Sequence, residues 1–240
     1  MVHWSYLSKD RTFAWSIKHK KTMLKISDTK VAIIGLGNIG RVVADNLTKG
    51  NRAVILAARD FSKAQKLAKE LGDFAQPMEI EAALQVADII VLAIWFADIQ
   101  EFLTQYASQL EGKIIVDPSN PIATDENSGF VKTIGADESA GQLNAALLPK
   151  GAKLAKAFGT LGAASLANAS GQKPEMAVLF YATDDQSIDG QIEELIVDAG
   201  FEPVRVGSID QSIQLEVFGE LHEFGALGKT VTLAEITEIV

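Results

Sequence analysis

An open, doubly wound α/β sheet, mainly parallel and followed by a smaller C-terminal α/β part, is the fold class this sequence predicts. Two observations carry that expectation. From Lys30 onward, apolar runs of strand length alternate with amphipathic helical patterns. The first of those runs ends in a glycine-rich turn that opens a helix. The chain has 240 residues, 48% of them apolar and 22% charged, so it is long enough to bury a full core.

The elements follow in order. Val31 to Ile34 is apolar throughout and ends in glycine, as a strand buried on both faces does. Ile39, Val42, Val43, Asn46 and Leu47 share one helical face, and Gly50-Asn51 stops that helix. Ala53 to Ala58 is the second strand. Phe61, Ala64, Leu67, Ala68 and Leu71 mark the second helix, closed by Gly72. A short helix over about Ile80 to Val86 leads into a third strand from Asp88 to Ile94. Ile99, Phe102, Leu103, Tyr106 and Leu110 make the next helix face, and Lys113 to Val116 the next strand.

Beyond this point the pattern loosens. A helix is expected over Leu143 to Leu148, with strands over Lys153 to Phe158 and Met176 to Tyr181. A helix carrying Ile188, Ile192, Leu195, Ile196 and Ala199 comes next, then a short strand at Val204 to Val206, then a helix from Ser212 to about Leu227. The glycine- and alanine-rich stretch Gly159 to Gly171 suggests a boundary. Three regions result: a basic extension over 1–29, a nucleotide-binding domain over 30–160, and a C-terminal α/β part over 161–240, on the substrate side and with dimer contacts.

The extension differs from the rest. Over residues 1–25, Lys9, Arg11, Lys18, Lys20, Lys21 and Lys25 stand against only Asp10, and Trp4 and Trp15 lie among them. No apolar segment follows the charges, so it is not read as a secretory signal. Met23 precedes an ordinary domain opening, and residues 1–22 are expected to be upstream sequence without a fold. A transit peptide and a surface-packed arm are the other readings.

Composition excludes several classes. A net charge of −9 argues against a nucleic-acid binder, which needs a basic footprint. With no cysteine there is no disulfide, thiolate nucleophile or cysteine-held metal. The three histidines are His3, His19 and His222. The longest apolar run, Ile89 to Ala97, is far short of the ~20 residues of a spanning helix. A soluble, cytoplasmic protein without a metal is expected.

Gly35-Leu36-Gly37-Asn38-Ile39-Gly40 is the strongest motif. By itself G-x-G-x-x-G is weak. Between a buried strand and a helix it is the dinucleotide-binding fingerprint of a Rossmann sheet. Gly35 makes the tight turn, Gly37 admits a pyrophosphate, and Gly40 lets helix and strand approach. FAD is the competing nucleotide. The second strand ends Ala58-Arg59-Asp60, followed by Phe61-Ser62-Lys63. An NAD site places a carboxylate here, whereas a 2′-phosphate needs cations. With Asp60 as the helix N-cap, Arg59 and Lys63 supply the charge and Ser62 a donor, so NADP is the predicted cofactor.

These residues resemble the NADPH-dependent coenzyme F420 reductases, the F420-dependent NADP oxidoreductase family. The cytosolic domain of transmembrane ferric reductases looks related. The resemblance spans roughly 30–225. It also rests on Leu92 to Trp95, on Val116-Asp-Pro-Ser-Asn-Pro121 and on Lys156-Ala-Phe-Gly-Thr160. Members typically read Ser-Arg at Ala58-Arg59, often carry proline before the tryptophan that matches Trp95, and have Asn at Gly159. The resemblance implies that Ile94, Trp95, Asn120 and Pro121 flank the ribose and nicotinamide. It implies an oxidoreductase moving a hydride between NADPH and a flavin-like or other small redox acceptor, with a small-molecule partner, no membrane or nucleic-acid partner, and a homodimer as one assembly. The alternative is a non-catalytic NADP(H)-binding module. No catalytic acid or base is assigned. Glu216, Glu220 and Glu223 near His222 read as solvated helix positions.

Overall fold

The computed structural model describes residues 29–124 and 129–239. The basic extension, with Trp4, Trp15 and Met23, lies outside the described residues apart from Thr29.

The chain runs β1 (Val31–Ile34), α1 (Asn38–Lys49), β2 (Val54–Ala57), α2 (Phe61–Leu71), β3 (Ala75–Pro77), α3 (Ile80–Val86) and β4 (Ile89–Leu92). It continues through α4 (Phe96–Gln105), α5 (Ala107–Leu110), β5 (Ile114–Asp117), β6 (Ile122–Thr124), β7 (Phe130–Lys132), α6 (Ala140–Ala145) and β8 (Lys153–Lys156). It ends with α7 (Ala163–Ala169), β9 (Val178–Thr183), α8 (Asp189–Asp198), β10 (Glu202–Gly207), α9 (Ser212–Leu215) and α10 (Leu233–Ile239).

Eight strands form one sheet in the order β10-β9-β8-β5-β4-β1-β2-β3. From β3 across to β8 every pairing is parallel. Alternation along each strand explains the unbroken apolar runs. Val31 and Ile33 enter the core on one face, with α1, α2, α7 and α8, while Ala32 and Ile34 enter the core on the other, with α3, α4 and α5. The chain leaves β1 toward β2 and β3, then crosses back to β4 on the other side of β1. That reversal puts the crevice at the carboxyl ends of β1 and β4, where open sheets of this kind take ligands.

Three features mark the C-terminal region. It adds to the main sheet: β9 joins it antiparallel to β8, and β10 extends it parallel to β9. The Gly159–Gly171 stretch contains helix α7, which packs on α1 with Asn46 Nδ2 donating to the Leu166 carbonyl at 2.9 Å. Lastly, the helix expected over Ser212 to Leu227 stops at Leu215. Glu216 turns into extended backbone and Phe218 takes a φ of 72°. A Cβ at Gly219 would lie 2.4 Å from the Ile213 carbonyl oxygen, and one at Gly225 would lie 1.8 Å from that of Gly219. The segment is a glycine-packed coil whose side chains serve other elements. Strands β3, β6 and β7 and helix α10 carry too few residues of clear period to be expected from sequence. Among the described residues no helix is long and apolar enough to cross a membrane.

Candidate functional site

The glycine turn between β1 and α1 divides its labour among three positions. Gly35 has φ +93°, and a Cβ there would sit 2.5 Å from the Ala93 carbonyl oxygen. At Gly40 a Cβ would lie 1.9 Å from the Gly35 carbonyl oxygen, so helix and turn touch through backbone. Gly37 is different: a Cβ would meet nothing within 4 Å, and φ is −76°. Gly37 therefore does not need the left-handed backbone of its neighbour; its missing side chain keeps space open in front of α1. No side chain caps α1 and no acidic residue stands in its first turn. Gly37 and Asn38 are exposed, while Leu36 and Ile39 lean on the core. A helix start of this kind, with free N–H groups and a positive dipole end, can hold an anion.

At the end of β2, Ala58 is buried and Arg59 reaches into solvent, with 90% of its side chain exposed and an outlying ion pair to Asp98 at 3.9 Å. Asp60 is the N-cap of α2. It accepts from Ser62 N at 3.1 Å and from Ser62 Oγ at 2.6 Å, and the Ser62 hydroxyl bond is the main reason its carboxyl is held below the ordinary carboxylate range. Ser62 thus gives its one hydroxyl proton to Asp60. Lys63 is exposed one turn along. Ala58 and Arg59 line an open groove of about 290 Å³ with Glu79, Ile80, Glu81 and Tyr106. Tyr106 donates to Glu81 at 3.2 Å.

On the other side of β1, Ile94 packs on the second core and Trp95 precedes α4 with 62% of its surface exposed. Trp95 is therefore no core aromatic. Beyond β5, Pro118 and Pro121 are buried, and Asn120 is engaged within the protein. Its Nδ2 donates to the Gly159 carbonyl at 3.0 Å and its Oδ1 accepts from Val217 N at 2.7 Å. The side chain ties three segments together, where the family resemblance implied contact with ribose or nicotinamide. The predicted residues thus gather along one sheet edge, the carboxyl ends of β2, β1, β4 and β5.

Sequence reasoning missed the polar network beneath that edge. Lys156 Nζ pairs with Asp117 Oδ2 at 3.0 Å, with both side chains 1% exposed. Asn144 donates to the same oxygen at 2.9 Å, and Ser119 N to Asp117 Oδ1 at 2.8 Å. Lys156 also donates to the Ser119 carbonyl at 2.5 Å. The available signal was a charge at the carboxyl end of each of two predicted strands, Asp117 after Ile-Ile-Val and Lys156 after Leu-Ala, since a buried charge needs a partner. Glu216, His222 and Glu223 are likewise not solvated helix positions. Buried Glu216 accepts from the N–H groups of Ala140 and Gly141, at the start of α6. Glu223 accepts from Gly162 N at the start of α7. His222 accepts at Nδ1 from Phe224 N at 2.9 Å, and burial lowers its pKa to about 4 despite a bond to the Gly159 carbonyl. Glu220 alone of the three glutamates is exposed. Among the described residues no three His, Asp or Glu side chains converge as a metal site.

Known proteins share this arrangement. A sequence model of the family described as NADP oxidoreductase, coenzyme F420-dependent, matches residues 30–121. A solved hypothetical protein of Sinorhizobium meliloti is 30% identical, with a TM-score of 0.74 over 85% of this chain and 95% of that one. An Arthrobacter sp. FB24 protein named as an F420-dependent NADP-reductase is 21% identical, with a TM-score of 0.66 over 77% of this chain and 87% of that one, and shares the fold. Metalloreductase STEAP3 of Rattus norvegicus is 26% identical over 187 residues, which is 78% of this chain and 36% of that protein. The chain spans between 24% and 36% of the length of the curated relatives it matches. The family model covers the glycine turn and every strand end described above up to Pro121, and the Sinorhizobium protein is matched nearly end to end. On that evidence the chain belongs to the coenzyme F420-dependent NADP oxidoreductase family.

Proposed function

We propose that this protein binds NADP(H) along the carboxyl ends of β2, β1, β4 and β5 and transfers a hydride between its nicotinamide and a small redox acceptor. The observation that carries this reading is the open space at Gly37 in front of an uncapped α1, flanked by an exposed Arg59. Pyrophosphate fills that space and takes the N–H groups of Leu36 to Gly40. The adenosine half then runs over β2, where Arg59 and Lys63 face the 2′-phosphate beside the groove floored by Ala58. The nicotinamide half runs the other way, toward Ile94, Trp95 and the Asn120-Pro121 loop. Asn120 contributes there by fixing the loop rather than through its own amide.

Hydride transfer between stacked rings needs the reacting atoms held ~3–3.5 Å apart and no proton donor. Glu216, Glu223 and His222 are engaged in structural hydrogen bonds, which suits that chemistry. Family membership favours a deazaflavin or flavin as the acceptor. Titration with NADPH and NADH, followed by NADPH oxidation with F420, free flavins, ferric chelates and quinones, tests the reading. Tighter NADPH binding with turnover of at least one acceptor supports it. Tight NADPH binding with no turnover across the panel favours a sensing or partner-supporting module, and equal binding of NADH removes the role given to Arg59.

A further inference from the structure

The Lys156–Asp117 pair is the most deeply buried ion pair among the described residues, and hydride transfer has no direct use for it. Removing two charges from water is costly, and apolar residues of similar volume would pack as well. Its hydrogen bonds show what it does. Asp117 is the last residue of β5 and Lys156 the last of β8, side by side in register. Asp117 Oδ1 takes the N–H of Ser119 and Lys156 takes the carbonyl of Ser119, so the pair grips one residue from both sides of its backbone. That residue is the centre of the loop from Pro118 to Pro121. Two further features sit in the loop and in the 158–160 segment, whose Gly159 lies against the Pro118 carbonyl. Ser119 Oγ and Thr160 Oγ1, like Asn144 Oδ1 of the same network, are buried without a hydrogen-bond partner among the protein's own groups. Phe158, fully buried between Lys156 and Thr160, is held at φ 62°, a strained conformation for a bulky residue and one that collects at functional sites.

We propose that Lys156 is a positioning residue: through the Ser119 carbonyl, and with Asp117, it holds the Pro118–Pro121 loop in the shape that receives the nicotinamide half of the dinucleotide. This rests on the NADP(H) reading above. Adenosine and phosphate contacts lie across β1 from the pair, so Lys156 acts on one end of the cofactor only.

The test compares NADPH with 2′,5′-ADP, which carries the 2′-phosphate and lacks the nicotinamide, by calorimetric titration. Lys156→Met alone would strand a buried carboxylate, so the informative variant is the double Asp117→Asn/Lys156→Met, which removes both charges. Its 2′,5′-ADP affinity is expected to stay within about twofold of wild type, while its NADPH affinity falls about tenfold or more. A loss below twofold for NADPH overturns the proposal, and equal losses for both ligands show a merely structural pair. If the double variant does not fold, amide exchange in the wild-type protein decides. NADPH, and not 2′,5′-ADP, should slow exchange at Ser119 and Asn120; equal effects of the two ligands overturn the proposal. Should wild type bind neither ligand, the NADP(H) reading itself falls and takes this proposal with it. Normal NADPH binding with an insensitive double variant leaves that reading standing.

Discussion

The two stretches that build the ligand-facing edge of the sheet treat their polar groups in opposite ways. From β1 to the start of α4, groups are left open: the N–H groups of an uncapped α1, the guanidinium of Arg59, the face of Trp95. From β5 through the coil after α9, polar groups are turned inward. Asp117 and Lys156 pair with each other, Asn120 bridges Gly159 and Val217, and Glu216 and Glu223 close the starts of α6 and α7. The first stretch is a surface prepared for a ligand; the second is a frame that keeps its own loops in place. A substitution in the first should therefore change binding while sparing stability, and one in the second should lower stability and reach binding only through the loop it holds.

The glycine turn holds the largest expected effect, because both behaviours occur there three residues apart. Gly40→Ala drives a methyl into the Gly35 carbonyl oxygen, backbone against backbone at 1.9 Å. It should cost about 3 kcal/mol or more, the upper end of core overpacking, read from denaturant midpoints. Gly37→Ala adds a methyl to open space at an ordinary φ. It should melt like wild type and lose NADPH and NADH together, by about tenfold or more each. A Gly37→Ala protein that binds both normally would empty the proposed pyrophosphate site.

Within the frame, His222 offers a pH test. Its folded pKa is about 4 against 6.5 for an unburied histidine. Between those values the unfolded chain binds the extra proton, so the contribution to stability is fully present above pH 6.5 and falls as pH drops toward 4. The swing is at most roughly 3 kcal/mol. His222→Gln should flatten that part of the stability profile relative to wild type. Parallel profiles would mean that His222 is not held neutral by burial.

The same contrast explains what could be read from sequence. Strands β1, β2, β4 and β5 show as apolar runs because both sheet faces are covered, and the glycine turn shows because its constraints lie within six consecutive residues. Position in the chain nearly suffices there. Lys156 and Asp117 are 39 residues apart, and Glu216 lies 76 from the N–H of Ala140. No local period announces such partners. Glutamates at helical spacing after Ser212 point to a solvated helix until the carboxylate of Glu216 is seen leaving to close α6. The Ser62 hydroxyl is a related case: Asp60 is the N-cap, as expected, and it accepts from the hydroxyl that the sequence reading offered to the phosphate.

Arg59→Glu sharpens the comparison from the open side. It removes a cation and adds repulsion where the 2′-phosphate is placed. NADPH binding should weaken by ~1.5–3 kcal/mol, the scale of a hydrogen bond to a charged group. NADH lacks that phosphate, so its affinity should hold or improve. The side chain is 90% exposed, so the melting temperature should not move. Equal weakening of the two cofactors would make Arg59 a structural residue and place it with the frame.

The smallest effect belongs to Ser62, which stands on the open side and yet behaves as frame. Its hydroxyl donates to Asp60 Oδ1 at 2.6 Å, and the same oxygen accepts the backbone N–H at 3.1 Å. Ser62→Ala keeps the backbone bond and so keeps the cap. It should lower the melting temperature only slightly, because this bond to the Asp60 carboxylate lies in solvent, and change NADPH affinity less than about twofold, or under ~0.4 kcal/mol. Parallel NADPH and NADH titrations on Ser62→Ala and wild type decide the matter. A selective loss of NADPH affinity near tenfold would show the hydroxyl leaving Asp60 for the 2′-phosphate when cofactor binds. The division would then run through bound and unbound states of one side chain, not between two regions of the fold.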